Sequence, residues 1–191
     1  MWRKSLNRIL AKKPLAQPFT SGGRCAWALS RQRIVVILQF MRKASSDDVQ
    51  RLVALMTEFY AEAAYPLNHE RAAEAFVALL ADNRLGQVWF IQADDHDVGH
   101  VVVTFCYSME YGGLIAFVDD LFIQKAFRRA GLGTAALAEV RVFCAKLGVR
   151  AIQVETGRDN APALALYRRV GFVDTDRLLL SLPLADPTHA V

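Results

Sequence analysis

Between Asp120 and Ala136 the chain reads D-L-F-I-Q-K-A-F-R-R-A-G-L-G-T-A-A, its densest run of residues whose types and spacing suit chemistry. Arg128, Gly131 and Gly133 form an R-x-x-G-x-G turn between the apolar run Leu114 to Ile123 and a helical pattern from Thr134 to Leu147. Two glycines let the backbone approach a ligand closely and take up strained dihedrals. The first N–H groups of the helix that follows have no partner inside it. Such a turn is an anion site, and with Arg128 and Arg129 beside it the expected guest is a phosphate or pyrophosphate. A plain tight strand-to-helix connection would use the same glycines. A phosphate-binding NTPase loop is excluded, because no Lys-Ser or Lys-Thr follows them.

Two carboxylates, Asp119 and Asp120, sit in the strand before this turn. Successive side chains of a strand point to opposite faces, so only one of the two enters a cleft unless a bulge intervenes. The elements around them follow from hydrophobic period and punctuation. Ile34 to Arg42 reads as a first strand, and Ser45-Ser46-Asp47-Asp48 caps a helix carrying Val49, Leu52, Leu55, Met56, Phe59 and Tyr60. Pro66 and Asn68 restart the chain into a second helix, His69 to Ala81. Gln87 to Ala93 and Val98 to Tyr107 are β-rich runs joined as a hairpin at Asp94-Asp95-His96-Asp97, where His96 reads as a solvated turn residue. After the loop Ser108 to Gly113 come the strand Leu114 to Ile123, the glycine turn and its helix, then a strand Val149 to Glu155 ending in a third carboxylate, Glu155. Asn160-Ala161-Pro162 opens a last helix that Gly171 stops. Phe172 to Asp176 and Arg177 to Leu184 read as two closing strands. The order β-α-α-β-β-β-α-β-α-β-β implies a mixed α/β fold with helices covering a mostly antiparallel sheet.

Bulk properties narrow the function classes. At 191 residues, 53% hydrophobic and 22% charged, the chain suits one globular domain. The net charge of +4 is unevenly spread: residues 1–46 carry ten Lys or Arg and no acid, whereas 47–191 carry 13 basic against 19 acidic residues, about −6. Most of that acid-free stretch's charge, eight Lys or Arg, lies in an N-terminal extension, residues 1–33, and gives weak support for nucleic acid binding. That extension fits an organellar transit peptide, a disordered tail or an upstream start codon ahead of Met41. Cys25, Cys106 and Cys144 are too widely spaced for a metal site or paired disulfides, which points to a reducing compartment and no metal. The longest near-apolar run, Ile34 to Met41, is far short of the ~20 residues needed to span a bilayer.

The element order, with R-x-x-G-x-G after the fourth strand and N-x-x-A-x-x-x-Y-x-x-x-G-F from Asn160 to Phe172 about thirty residues later, resembles the GNAT family of acetyl-CoA-dependent N-acetyltransferases. The resemblance covers residues 34–184 and sets the domain at 34–191. It implies a six- to seven-stranded sheet splayed between strands 4 and 5, flanked by about four helices, and acetyl-CoA as co-substrate. The coenzyme pyrophosphate would sit on Arg128 and on the main chain of Arg129, Ala130, Gly131, Leu132, Gly133 and Thr134. Its pantetheine arm would pair near Leu121, Phe122 and Ile123, with Asn160 as a further coenzyme contact or simply an N-cap.

Tyr167 matches the tyrosine that protonates the departing thiolate. Reference values of ~10 for tyrosine and ~8.5 for a thiol put that transfer uphill by roughly 2 kcal/mol, which a positioned group manages. A primary amine near ~10 arrives as ammonium and must lose a proton before attacking the thioester. Asp119 stands where polyamine-type members, with an L-E-D-F-F-V strand, carry their active-site Glu; here the strand reads V-D-D-L-F-I, one methylene short. Asp120 and Glu155 are the other candidates for the base, and any of the three is alternatively an anchor for the substrate ammonium. A cytoplasmic enzyme is expected, or a mitochondrial one if residues 1–33 are a transit peptide, monomer or homodimer, with an amine acceptor and neither nucleic acid nor membrane as partner. A non-catalytic acyl-CoA-binding module and a protein N-terminal or lysine acetyltransferase are the alternatives. Glu110, Asp119 and Asp120 around the cleft favour a cationic small amine.

Overall fold

A computed structural model describes residues 40–182 and 184. The N-terminal extension, the first strand's expected residues 34–39 and the C-terminal residues 185–191 lie outside them. Within them, β1 (Met41–Lys43) leads through a 3-10 turn (Ser46–Asp48) into α1 (Val49–Ala63), and α2 (His69–Ala81) follows. Ser45 and Asp48 cap that start reciprocally, the arrangement expected of a capping box. Asn68 caps α2 by accepting from the Arg71 N–H at 3.1 Å. Next come β2 (Gly86–Ala93), β3 (His96–Ser108) and β4 (Gly113–Ile123), then α3 (Leu132–Lys146), β5 (Ile152–Val154) and α4 (Ala161–Val170).

The five strands lie in the order β1-β2-β3-β4-β5, antiparallel except for the parallel pair β4 and β5. β2 and β3 meet in a two-residue turn, Asp94 and Asp95, at φ 49° and 62°, so the hairpin is tighter than the expected four-residue one and is of the type that matches strand twist. α3 supplies the crossover that a parallel pair requires. One sheet face buries Val88, Phe90, Val102 and Phe122 against Leu52, Leu55 and Phe76 of α1 and α2. The other buries Val101, Val103, Ala116 and Val118 against α3 and α4, through Leu137, Val140, Cys144 and Tyr167.

Two expected strands are absent among the described residues. The described residues beyond Gly171 pair with no strand, so the sheet has five strands among the described residues rather than six or seven. Val173, Leu178, Leu180 and Leu182 are exposed there. Asp176 adopts φ 56°, a left-handed conformation that breaks an extended run. Side-chain ion pairs hold the segment in place of a ladder: Arg168 to Asp174 at 3.0 Å and Arg177 to Glu110 at 2.6 Å.

Candidate active site

β4 changes partners halfway along. Ala116, Phe117 and Val118 pair with Ile152, Gln153 and Val154 of β5, and the pairing ends there. Among the described residues, β4 from Asp120 to Ile123 pairs with β3 alone, and its other edge is open. At the point of divergence the register with β3 shifts: Val103 faces Val118 and Val102 faces Asp120, leaving Asp119 as the extra residue of a β-bulge. Bulges re-aim side chains. The two aspartates therefore escape strict alternation, and Asp119 and Asp120 both influence the same neighbour, Tyr60 of α1.

Among the described residues, several carboxylates elsewhere are paired with arginines, and Asp119 is not. Arg42 bridges Asp48 and Asp97 at 2.9 and 2.7 Å, which holds the Asp48 carboxyl down at about 2, chiefly through its hydrogen bond with Arg42. Glu110, expected to flank the cleft, is clasped by both terminal nitrogens of Arg177 and held below the usual carboxylate range. Asp119 has no ion-pair partner among the described residues. Desolvation by the cleft walls, then repulsion from Asp120 and from Glu155, pushes its carboxyl up. The splay thus brings Asp119, Asp120 and Glu155 into one electrostatic cluster.

Beyond the open edge lies the glycine turn. Arg129 and Gly131 take φ 68° and 87°, curving the main chain into the start of α3. Gly131 is the N-cap residue and no side chain caps the helix, so the N–H groups of Leu132, Gly133 and Thr134 remain without a partner inside it. A Cβ on Gly131 would meet nothing within 4 Å. Gly133 differs: a Cβ there would lie 3.1 Å from the end of the Leu166 side chain and 3.6 Å from Ile123, so the glycine lets α3 pack closely on α4 and β4. The Arg128 guanidinium donates to the carbonyl of Ile123 at 2.6 Å and to Glu62 of α1 at 2.7 Å, and stacks over the Phe122 ring at 5.6 Å. It ties α1 to the open end of β4.

Asn160 caps α4, accepting from the Ala163 N–H at 3.2 Å, which leaves its amide nitrogen free. Tyr167 is buried in the α3/α4 core, edge-on to Phe172 at 5.5 Å. Desolvation and then the charge of Asp120 raise its hydroxyl above the ordinary tyrosine value. Two further residues join the site that sequence reasoning did not assign to it. Tyr60, read as a core residue of α1, has its hydroxyl pushed up to about 12 by desolvation, then Asp120 and Asp119. His100 of β3 lies wholly buried, its Nε2 3.6 Å from Asp120 Oδ2. A histidine inside the apolar run of β3 was the available signal for the second; nothing in the α1 pattern marked the first.

The family model "Acetyltransferase (GNAT) family" matches residues 50–172, from α1 through the last motif. The chain belongs to the GNAT acetyltransferase family. Its fold recurs in the crystal structure of an integron cassette protein from the mobile metagenome of Cole Harbour Salt Marsh, 46% identical with a TM-score of 0.71, covering 79% of this chain and 94% of that one. A predicted acetyltransferase from Clostridium acetobutylicum, solved with acetyl-CoA, is 19% identical with a TM-score of 0.64, covering 74% of this chain and 94% of that one, and shares the fold. The mycothiol acetyltransferase of Clavibacter michiganensis subsp. michiganensis is 35% identical over 98 residues, 49% of this chain and 31% of that protein. The matched stretches span 27% to 44% of the length of the curated relatives. No helix among the described residues is long and apolar enough to cross a membrane.

Proposed function

We propose that this GNAT protein transfers the acetyl group of acetyl-CoA to a primary amine of a cationic small molecule. The observation that carries the reading is the open half of β4, where Asp119, without an ion-pair partner among the described residues, clusters with Asp120 and with Glu155 from the end of β5, and which leads on to an uncapped helix N-terminus. The coenzyme pyrophosphate is held by the N–H groups from Arg129 to Thr134. The pantetheine arm runs along the open edge of Leu121, Phe122 and Ile123 in the place a paired strand would take. Arg128, already spent on Glu62 and Ile123, braces the turn, and the free amide nitrogen of Asn160 reaches the coenzyme from α4.

The chemistry needs one proton donor and one acceptor. Tyr167 protonates the departing thiolate; its raised hydroxyl keeps the proton until a strong base forms beside it. Asp119 and Glu155 anchor the acceptor ammonium, since the repulsion that lifts Asp119 is relieved by an incoming cation. Asp120 takes the ammonium's proton. Its charge perturbs Tyr167 whereas that of Asp119 does not, which favours Asp120 as the carboxylate nearer the thioester carbon. The test is a panel of polyamines, amino acids, aminoglycosides and protein N-termini incubated with acetyl-CoA, read by free-thiol release and by mass spectrometry of the acceptor. Acetylated small amines support the reading. Coenzyme retention with no acetylated product from any acceptor would sink it in favour of a binding module.

A further inference from the structure

His100 is an anomaly of the β3 face. Among the described residues, its Nδ1 and Nε2 are the buried side-chain atoms left without a hydrogen-bond partner. The ring is 0% exposed and sits opposite Phe90 on one side and Phe122 on the other in the strand registers. The rings of Phe59 and Phe122 stand 6.5 and 6.0 Å away. A phenylalanine would suit this box, and an imidazole with both nitrogens unpaired costs free energy that an apolar ring would not. The polar atom within reach is Oδ2 of Asp120, 3.6 Å from Nε2, a few tenths of an ångström beyond hydrogen-bond range. Asp120 is two residues from Phe122 on β4 and therefore shares its face.

Building on the transferase reading above, we propose that His100 is the positioning residue of Asp120: it fixes the carboxylate and receives the proton that Asp120 takes from the acceptor. In this step an N–H bond of the ammonium breaks and an O–H bond forms on Asp120. The proton then crosses to Nε2 of His100 as the gap closes, leaving an imidazolium opposite a restored carboxylate, while the amine keeps its lone pair for the thioester carbon. No electrons are exchanged with a third party. When product leaves, the proton returns through Asp120 to solvent, since the imidazole has no exposed surface of its own. The other groups facing the pair are Asp119 on β4, Tyr60 on α1, Tyr167 on α4 and Arg128 over the Phe122 ring.

The experiment is His100→Phe, assayed for turnover across pH, for melting temperature and on an Asp120→Asn background. The expected result is a melt at or above that of the parent, with turnover at neutral pH lower by about 10-fold or more, the loss shrinking at high pH where the acceptor arrives deprotonated. The coenzyme KM stays put, and the double variant is no slower than Asp120→Asn alone. A His100→Phe enzyme with the parent's turnover and pH profile, or with a pH-independent loss that tracks a lowered melt, overturns the proposal. A second readout needs no substrate: in 15N-histidine spectra of the full chain, the Nε2 signal of His100 moves when Asp120 becomes Asn. A signal that does not move also overturns it. Should the parent release no thiol with any amine, the transferase reading fails, and the spectra still report on the pair by themselves.

Discussion

The two halves of β4 are one strand with opposite duties. From Gly113 to Val118 it lies between β3 and β5, and Ile115, Ala116 and Val118 are buried. Beyond Val118, among the described residues, β4 keeps β3 alone, and Asp119 stands there beside the charges of Asp120 and Glu155. The boundary is one bulged residue. The paired half follows the local rules of a central strand; the open half breaks them, with a missing neighbour and an aspartate, Asp119, repelled by Asp120 and by Glu155. Such violations are expected where a protein binds and reacts rather than where it only folds.

Substitutions at this boundary should therefore separate stability from activity. Val118→Asp has the largest expected effect. Val118 is 2% exposed between two strands and under α3, and an unpaired buried carboxylate costs several kcal/mol out of a total stability of about 5–15 kcal/mol. Loss of the cooperative melt in calorimetry is the expected outcome, and a melt within a few degrees of the parent would mean that the paired half is not the structural one. Tyr167→Phe comes next. It keeps the ring against Phe172 and removes only the hydroxyl, so turnover should fall by roughly 10–1000-fold while the acetyl-CoA dissociation constant holds within a few fold. Full activity would take the acid role from Tyr167.

Asp119→Asn has the smallest effect and the reverse sign on stability. Its carboxyl is raised in the folded state, so the folded chain holds that proton more tightly, and the stability this confers is lost as pH rises through the folded value. At neutral pH the ionised Asp119 is therefore a net liability, and Asn should raise the melting temperature slightly. The gain should vanish in acid, where the parent side chain is protonated. The acceptor KM should rise several-fold at the same time. A lower melting temperature with an unchanged KM would place Asp119 among the structural carboxylates, with Asp48.

Much of this was legible in the chain itself. Capping residues and hydrophobic period located α1, α2 and α4, and α2 has the expected bounds, because local chemistry decides those elements. The R-x-x-G-x-G turn was readable, but the separate duties of its glycines were not. Gly131 serves the turn and Gly133 the packing against Leu166, a distinction that depends on a helix some thirty residues further on. The bulge at Asp119 is a property of two paired strands, so alternation along one of them does not reveal it. The closing strands failed for a related reason: a leucine-rich run has strand character, but becoming a strand requires a partner edge. His100 looked like one more residue of an apolar strand until Asp120 was placed beside it.

The central claim is that the open half of β4 and the uncapped start of α3 form one acetyl-CoA site, and titration calorimetry of acetyl-CoA into the parent and Gly131→Asp tests it most directly. Gly131 has φ 87° and free space where a Cβ would stand. An aspartate tolerates that conformation better than most residues, and its carboxylate would cap its own helix, occupying the N–H groups meant for the pyrophosphate. The expected outcome is a variant that melts like the parent and shows no measurable heat of acetyl-CoA binding, against clear saturable binding by the parent. Equal affinity in the two proteins would contradict it.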